Sequence, residues 1–327
     1  MKILKAMCAA AVALSLVGCA QTSNSDDKLT KVTLMLDYTP NTNHTGFYVA
    51  KNKGYYKEAG LDVDIIEPGD NATTSMVAAG KADFGVSYQE DVTYALTSED
   101  PLPIKTIATI IQHNTSGFVS LKSANINSVK DFEGKTYAGW GAPIKAVMNE
   151  AGADFSKLNI VGSDGSGIAG LSDEVGKNKV NLGWEFYGWA IIKAMQDGYD
   201  LNYMPLADLD SRLDYYTPVI ITNNKMIKKN SDTIQKFMEA TKKGYEYAID
   251  HPSKAAEILH DDALTDTDLK FLKESQKYLS SQYAKDADSW GVMKDSVWDN
   301  YTDFMYETGL IDHKIDAKDQ YTNEFVK

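Results

Sequence analysis

After Cys19 the 327-residue chain contains no cysteine, and its only other one, Cys8, lies in the apolar start. The body of the protein therefore has no intrachain disulfide, no thiolate nucleophile and no cysteine-held metal. Arginine is nearly absent, Arg212 being the only one, and 33 basic residues face 46 acidic ones. So acidic a chain is a poor match for nucleic acid or an anionic lipid surface, and no nucleic-acid partner is expected. Of the five histidines, His44, His113, His251, His260 and His313, no two have helical metal-site spacing, so no metal site is expected. A Gly-x-Ser-x-Gly elbow, a phosphate-binding glycine loop and a dinucleotide fingerprint are all missing; Gly165-Ser166-Gly167 lacks the strand-turn-helix setting of a nucleophile.

The one long apolar run is Ala6 to Val17, preceded by Lys2 and Lys5. It is short for a membrane span but suits a secretory signal. It ends in Leu16-Val17-Gly18-Cys19, which resembles the lipobox of bacterial lipoproteins. Residues 1–18 are thus expected to be a signal peptide, Cys19 to carry lipid, and the polar residues 19–30 to form a flexible tether to the outer side of the cell membrane. Removing Lys2 and Lys5 with the signal takes the formal net charge from −13 to −15, so the membrane link would come from lipid rather than a basic face.

The stretch from Leu34 to Tyr48, LMLDYTPNTNHTGFY, reads as the end of a buried strand, a polar loop and a helix starting near Thr45. Such a crossing places Asp37, Tyr38, Asn41, Asn43 and His44 at the carboxyl edge of a sheet, where open α/β sheets bind ligands, although Asn and Thr are equally at home as helix caps. Strands and helices then alternate: Asp62 to Ile66, a helix to Ala79, Ala82 to Ser87, a helix from Glu90. This is the pattern of a mostly parallel sheet in an α/β fold. A second run follows, with strands at Leu158 to Val161 and Val180 to Trp184, a helix near Ala169 to Lys177, and another from Tyr187. ADFGVSYQED (82–91) and VNLGWEFYGW (180–189) echo each other and suggest two similar lobes. Past the strand Val219 to Thr222 the chain turns helical, and Trp290, Met293, Val297, Tyr301 and Phe304 form an apolar stripe expected to pack on a lobe.

Aromatic residues collect at predicted strand ends: Tyr38, Tyr88, Trp140, Trp184, Phe186, Tyr187, Trp189, Tyr215 and Tyr216. Clustered there, they favour a flat ligand over core filling alone. Glu185, between Trp184 and Phe186, would be costly to bury without a hydrogen-bonding partner. An amino-heterocycle could supply one; an ion pair with Lys193 is the structural alternative.

Leu36-Asp37-Tyr38-Thr39-Pro40-Asn41-Thr42-Asn43-His44-Thr45-Gly46, the following Ala50-Lys51-x-x-Gly54-Tyr55-Tyr56, the turn at Gly69-Asp70, and the looser Tyr216-Thr217-Pro218 and Met305-Tyr306-x-x-Gly309-Leu310 resemble the thiamine-pyrimidine precursor-binding proteins of ABC importers. That family is related to the yeast-type thiamine pyrimidine synthases. The resemblance implies a periplasmic-binding-protein fold of two α/β lobes joined by hinge strands, with residues 31–112 and 217–327 in lobe one and 113–216 in lobe two. It implies a monomer that holds an aminopyrimidine, without a cofactor, and hands it to permease and ATPase subunits. Asp37, Tyr38, Asn41, His44 and Tyr88 would face the ligand from lobe one; Trp140, Trp184, Glu185 and Tyr187 from lobe two. The synthase branch carries a cysteine-rich iron motif and a lysine for pyridoxal phosphate, and the lack of cysteine after Cys19 departs from it. His44 is then expected as a ligand hydrogen-bonder or a loop brace. Relatives that take riboflavin, sulfonates or nitrate are the rivals, and the scarcity of arginine weighs against the anions.

Overall fold

The structure, a computed structural model, describes residues 29–139, 141–176 and 178–326. The signal, Cys19, most of the tether and Trp140 lie outside the described residues. Thr30, counted above with the tether, is the first residue of β1 (Thr30–Met35) and pairs with Leu61.

Among the described residues ten strands form two five-stranded sheets, one in each α/β lobe. The first holds β1, β2 (Leu61–Ile66), β3 (Phe84–Ser87), β4 (Ile104–Thr109) and β10 (Val219–Asn223), in the order β2-β1-β3-β10-β4. The second holds β5 (Ser116–Leu121), β6 (Thr136–Ala138), β7 (Asn159–Val161), β8 (Leu182–Phe186) and β9 (Leu201–Pro205), in the order β7-β6-β8-β5-β9. Both orders have one pattern, three parallel strands followed by an antiparallel one and then an edge strand. The sheets are therefore mixed rather than mostly parallel, and connectivity explains it. A strand fed from the facing lobe enters at the edge where its neighbours finish, so β5 and β10 must run against them. The same logic turns the carboxyl ends of β1, β2, β3, β6, β7 and β8 toward the cleft between the lobes.

The echoed segments fall on equivalent strands, β3 and β8. Asp83, before β3, accepts a hydrogen bond from the Thr33 N–H at 2.9 Å. Asn181, before β8, accepts one from the Thr136 N–H at 3.0 Å. Thr33 and Thr136 lie on the matching strands β1 and β6, so each lobe ties its central strands by the same short acceptor at the same register.

In lobe one the helix Thr45–Asn52 crosses the helix Ser231–Asp250 at close range, glycine against backbone and ring. A Cβ on Gly244 would fall 2.0 Å from the Gly46 carbonyl oxygen, and one on Gly46 would enter the Tyr245 ring. That approach fixes where the Asp37 loop must end. The C-terminal aromatic stripe does not pack on a single lobe. Met293, Val297 and Trp298 join a lobe-one cluster, whereas Tyr301, Phe304 and Met305 enter the lobe-two core, so the helix Asp295–Glu307 spans both. Arg212 pins its far end by pairing with Glu307 at 2.7 Å and with Glu150.

One expected helix is missing. Of the described residues 169–176, the first two end the short turn Gly167–Gly170 and the rest form no helix; Gly165, Gly167, Gly170 and Gly176 give this segment too little helical preference. β8 also starts two residues later than the hydrophobic pattern predicts and runs on through Glu185 and Phe186.

The two crossovers are clamped where they pass. His113 Nδ1 lies 2.7 Å from Asp214 Oδ2, its Nε2 lies 3.3 Å from Asp286, and Asp214 Oδ1 accepts the Asn114 N–H at 2.8 Å. The Asp214 hydrogen bond, against an opposing desolvation and the nearby Lys285, raises the His113 pKa above its ordinary value. A raised folded-state pKa stabilises fully below the unfolded value of about 6.5 and is lost as pH rises through the folded value. Asp214→Asn should therefore lower the unfolding midpoint most at pH 5.5 and progressively less toward pH 8.5, measured by urea titration against wild type; a gap that does not vary with pH would show that the pair does not titrate with folding.

Candidate functional site

The loop after β1 is built as a closed brace. Asn41 caps the turn Thr42–His44: its side chain accepts the Asn43 N–H at 2.9 Å and donates to the Thr39 carbonyl at 3.1 Å. The Asn41 N–H in turn donates to His44 Nδ1 at 3.2 Å. A ring nitrogen that accepts cannot carry a proton, so His44 is the Nε2–H tautomer, and Nε2 donates to Asp37 Oδ1 at 2.7 Å. The Tyr88 hydroxyl donates to the other Asp37 oxygen at 2.6 Å. Burial alone would raise the Asp37 carboxyl; His44 and Tyr88 outweigh it and hold the pKa below the ordinary value. Burial, then the Asp37 charge, drives the Tyr88 hydroxyl far above its ordinary value, so it remains a donor.

The residues expected at the site thus divide by task. His44 is wholly buried and braces the loop, as Asn41 does through its cap. Tyr38 stands out at 62% exposure, on the rim. Asp37 and Tyr88 line a cavity of about 310 Å³ at the carboxyl edge of the first sheet, with Asp70, Asn71, Ser87 and Asp91.

Lobe two divides its residues by strand alternation. Trp184 and Phe186 share one face of β8, their rings 5.0 Å apart, and Trp184 Nε1 donates to the Ser116 hydroxyl at 3.0 Å. Phe186 faces Tyr88 across the cleft, near-parallel at 22° with ring centroids 6.5 Å apart. Tyr88 and Phe186 occupy matching positions of the echoed segments. Phe186 was noted among the clustered aromatics, but its pairing depends on a strand register that hydrophobicity alone did not give.

Glu185 points to the opposite face, into a cavity of about 590 Å³ lined by Val119, Ala138, Val161, Gly167 and Ile168, among others. Its carboxylate lies 3.4 Å from where a Gly167 Cβ would stand and has no hydrogen-bond partner among the described residues. Lys193, the alternative partner, pairs with Asp197 at 2.5 Å instead. Burial pushes the Glu185 carboxyl up to about 7. Tyr187 does not line this cavity; its ring packs on Tyr203 at 5.4 Å and Tyr278 at 4.8 Å. Trp140 lies outside the described residues.

Two acids that sequence reading passed over stand between the lobes. Glu90 is pushed up to about 7 by burial and then by Asp91. Asp91, whose side chain still reaches water, is pushed up to about 6 by desolvation and the Asp37 charge. Tyr137 of lobe two feels the charges of both Glu90 and Glu185. Among the described residues no lysine, arginine or histidine lines either cavity. Nor does any group of three or more His, Cys, Asp or Glu among them stand close enough to hold a metal ion. The arrangement accepts hydrogen bonds and positive charge, with flat rings at its mouth.

Against this geometry stand the comparisons. A family model described as NMT1/THI5 like matches residues 41–255. The chain belongs to that family. It is 29% identical to a formylaminopyrimidine-binding protein of Halalkalibacterium halodurans over 85% of this chain and 88% of that one. It is 25% identical to the riboflavin-binding protein RibY of Chloroflexus aurantiacus, covering 94% and 89%. It is 24% identical to a 4-amino-5-hydroxymethyl-2-methylpyrimidine phosphate synthase of Legionella pneumophila, covering 90% and 92%. Among solved structures, a Candida albicans protein with the generic periplasmic binding protein fold superposes with a TM-score of 0.61 at 16% identity, covering 91% and 97%. The NMT1/THI5-like chain thus has the periplasmic-binding-protein fold.

The Asp37 brace should be measurable as stability. Tyr88→Phe should cost about 1–2 kcal/mol and Asp37→Ala about 2–4 kcal/mol in urea unfolding, the larger loss reflecting two stranded donors. Equal losses would show that the His44 bond contributes nothing.

Proposed function

We propose that this chain is the extracytoplasmic solute-binding component of an ABC importer and that its ligand is an amino-methylpyrimidine of the thiamine-precursor class. The observation that carries the reading is Glu185, a largely desolvated carboxyl without a partner among the described residues, aimed into the larger cavity. Such a half-buried group gains from any donor that reaches it, water in the free form and a ligand in the bound one. A carboxyl titrating near 7 can accept from an exocyclic amine with one oxygen and, when protonated, donate to a ring nitrogen with the other. Tyr137 and Trp184, which line the same cavity, offer aromatic surface to a flat ring, and the acidic lining disfavours a sulfonate or nitrate. Of the two binding relatives, the formylaminopyrimidine-binding protein is the more similar, which supports a pyrimidine over riboflavin.

Residues 31–112 and 217–327 would move as one lobe and 113–216 as the other, with the helix Asp295–Glu307 bridging them. Ligand contacts made from both sides would then stabilise the closed form for the permease and ATPase to read. The lipobox at Leu16 to Cys19 supports a signal-cleaved lipoprotein on the outer face of the cell membrane, acting as a monomer.

The residues present do not fit the synthase chemistry. Neither cavity has a lysine or cysteine among its described lining residues to hold pyridoxal phosphate or iron, and no cysteine follows Cys19.

A thermal-shift panel of 4-amino-5-hydroxymethyl-2-methylpyrimidine, its formylamino analogue, thiamine, riboflavin and taurine should show stabilisation by the aminopyrimidines, about 2.7 kcal/mol at 100 times the dissociation constant. A shift with riboflavin alone would reassign the ligand. By calorimetry, Glu185→Gln should weaken aminopyrimidine binding by about 1–3 kcal/mol; unchanged affinity would move recognition away from Glu185.

A further inference from the structure

The cleft has a second set of contacts between the lobes, away from the Tyr88 and Phe186 rings. The helix Leu269–Ser280 belongs to lobe one, where its Leu279 enters the main core. Its other side meets the turn Tyr187–Ile191 that follows β8 in lobe two. Trp189 sets its ring edge-on to Phe271 at 4.8 Å, and Tyr187 packs on Tyr278 at the same distance. Gly188 lies so close that a Cβ there would stand 2.9 Å from Leu279 Cδ2.

Ser275 sits in the middle of this seam and is fully buried. Its hydroxyl donates to the Gly188 carbonyl of lobe two and lies 2.6 Å from the Thr42 hydroxyl of lobe one. A carbonyl can only accept, so the single Ser275 proton is committed to Gly188 and Thr42 must be the donor in the other link. The direction is therefore fixed: Thr42 to Ser275 to Gly188. Thr42 is the first residue of the turn that Asn41 caps and His44 braces, and its carbonyl accepts the Tyr283 hydroxyl. A continuous hydrogen-bonded path thus runs from the brace holding Asp37 to the turn that follows Phe186. Both ends lie just past the carboxyl edges of β1 and β8, which face each other across the cleft, so separating the lobes must break it.

We propose that Ser275 is a closure latch, a positioning residue that ties the Asp37 to His44 loop to lobe two in the closed form and raises ligand affinity without touching the ligand. The affinity part rests on the proposed role of the cleft as a solute site; the link between lobes does not. In the open form the Gly188 carbonyl and the Ser275 hydroxyl would turn to water, and the flat Gly188 surface would part from Leu279.

The test is Ser275→Ala beside Gly188→Ala, which drives a methyl group into the Leu279 side of the same seam. Small-angle X-ray scattering of the ligand-free proteins should give a larger radius of gyration for both variants than for wild type. Stopped-flow binding of 4-amino-5-hydroxymethyl-2-methylpyrimidine should show dissociation faster by about five- to tenfold with little change in association. Wild-type compactness and dissociation rate, with only a lower unfolding midpoint, would reduce Ser275 to local packing and overturn the latch. Should wild type fail to bind the pyrimidine, the ligand assignment falls and the scattering comparison alone decides the latch. If Ser275→Ala does not fold, Gly188→Ala decides it, since that variant keeps every hydroxyl and carbonyl of the path and breaks the path only by forcing the lobes apart.

Discussion

The hydrogen bond from His44 to Asp37 is the interaction on which the rest of the cleft depends. A buried carboxylate is costly unless its lone pairs are met, and Asp37 meets two of them with donors set by different means. Tyr88 comes from the end of β3, fixed by sheet register, and His44 from the turn after β1, fixed by its own cap. The Asn41 N–H holds the imidazole in the one tautomer that can donate to Asp37. The carboxylate therefore measures whether two strand ends and one helix start are in place together. The helix must begin at Thr45 because its crossing with Ser231–Asp250 leaves room only for glycine at positions 46 and 244. Geometry set deep in lobe one is thus delivered to the cleft as the position of one charged group.

Lobe two solves the same problem with different chemistry. The Thr33–Asp83 tie in lobe one and the Thr136–Asn181 tie in lobe two fix the register of equivalent strands, and an aromatic stands at each carboxyl end, Tyr88 just after β3 and Phe186 as the last residue of β8. Equivalent architecture brings those two rings face to face. The next position back differs: Ser87 in lobe one, Glu185 in lobe two. That difference makes the cleft asymmetric, with a partnered carboxylate on one side and an unpartnered one on the other.

The lobes, the strand-helix alternation and the Asp37 loop were legible in the sequence because each rests on local signals: period-two hydrophobicity, glycine and proline punctuation, and Asn or Thr before a helix. The resemblance to a known family added the crossed connectivity that local signals could not supply. What remained hidden depends on register and tertiary contact. Glu185 stood out as a carboxylate among aromatics, yet hydrophobicity ended its strand at Trp184. Two further residues of strand place Glu185 and Phe186 on opposite faces and carry Tyr187 toward Tyr203. A cap for Asn and a loop brace for His44 were among the readings the sequence left open; the bonds Asn41 N–H to His44 Nδ1 and His44 Nε2 to Asp37 depend on tertiary geometry. Glu90 and Asp91 lie in the first turn of their helix, where acids are common, and the facing lobe makes them part of the cleft.

The charge distribution bears on how such a cleft can work. Asp37 is held low by its own donors, whereas desolvation pushes Glu90, Asp91 and Glu185 up, with the Asp91 charge adding to Glu90 and the Asp37 charge to Asp91. Bringing the lobes together around so many acids without a cation would be opposed by repulsion and desolvation, unless protons or ligand donors enter as well. The acidic lining therefore acts as a filter: an anion adds to the opposition, and a donor-rich ring relieves it. The same physics sets a division of labour in the molecule. Neutral contacts, such as the Trp189–Phe271 pair and the Ser275 hydrogen bonds, can join the lobes at little electrostatic cost, while the carboxyls at the centre leave the final term to what occupies the cleft.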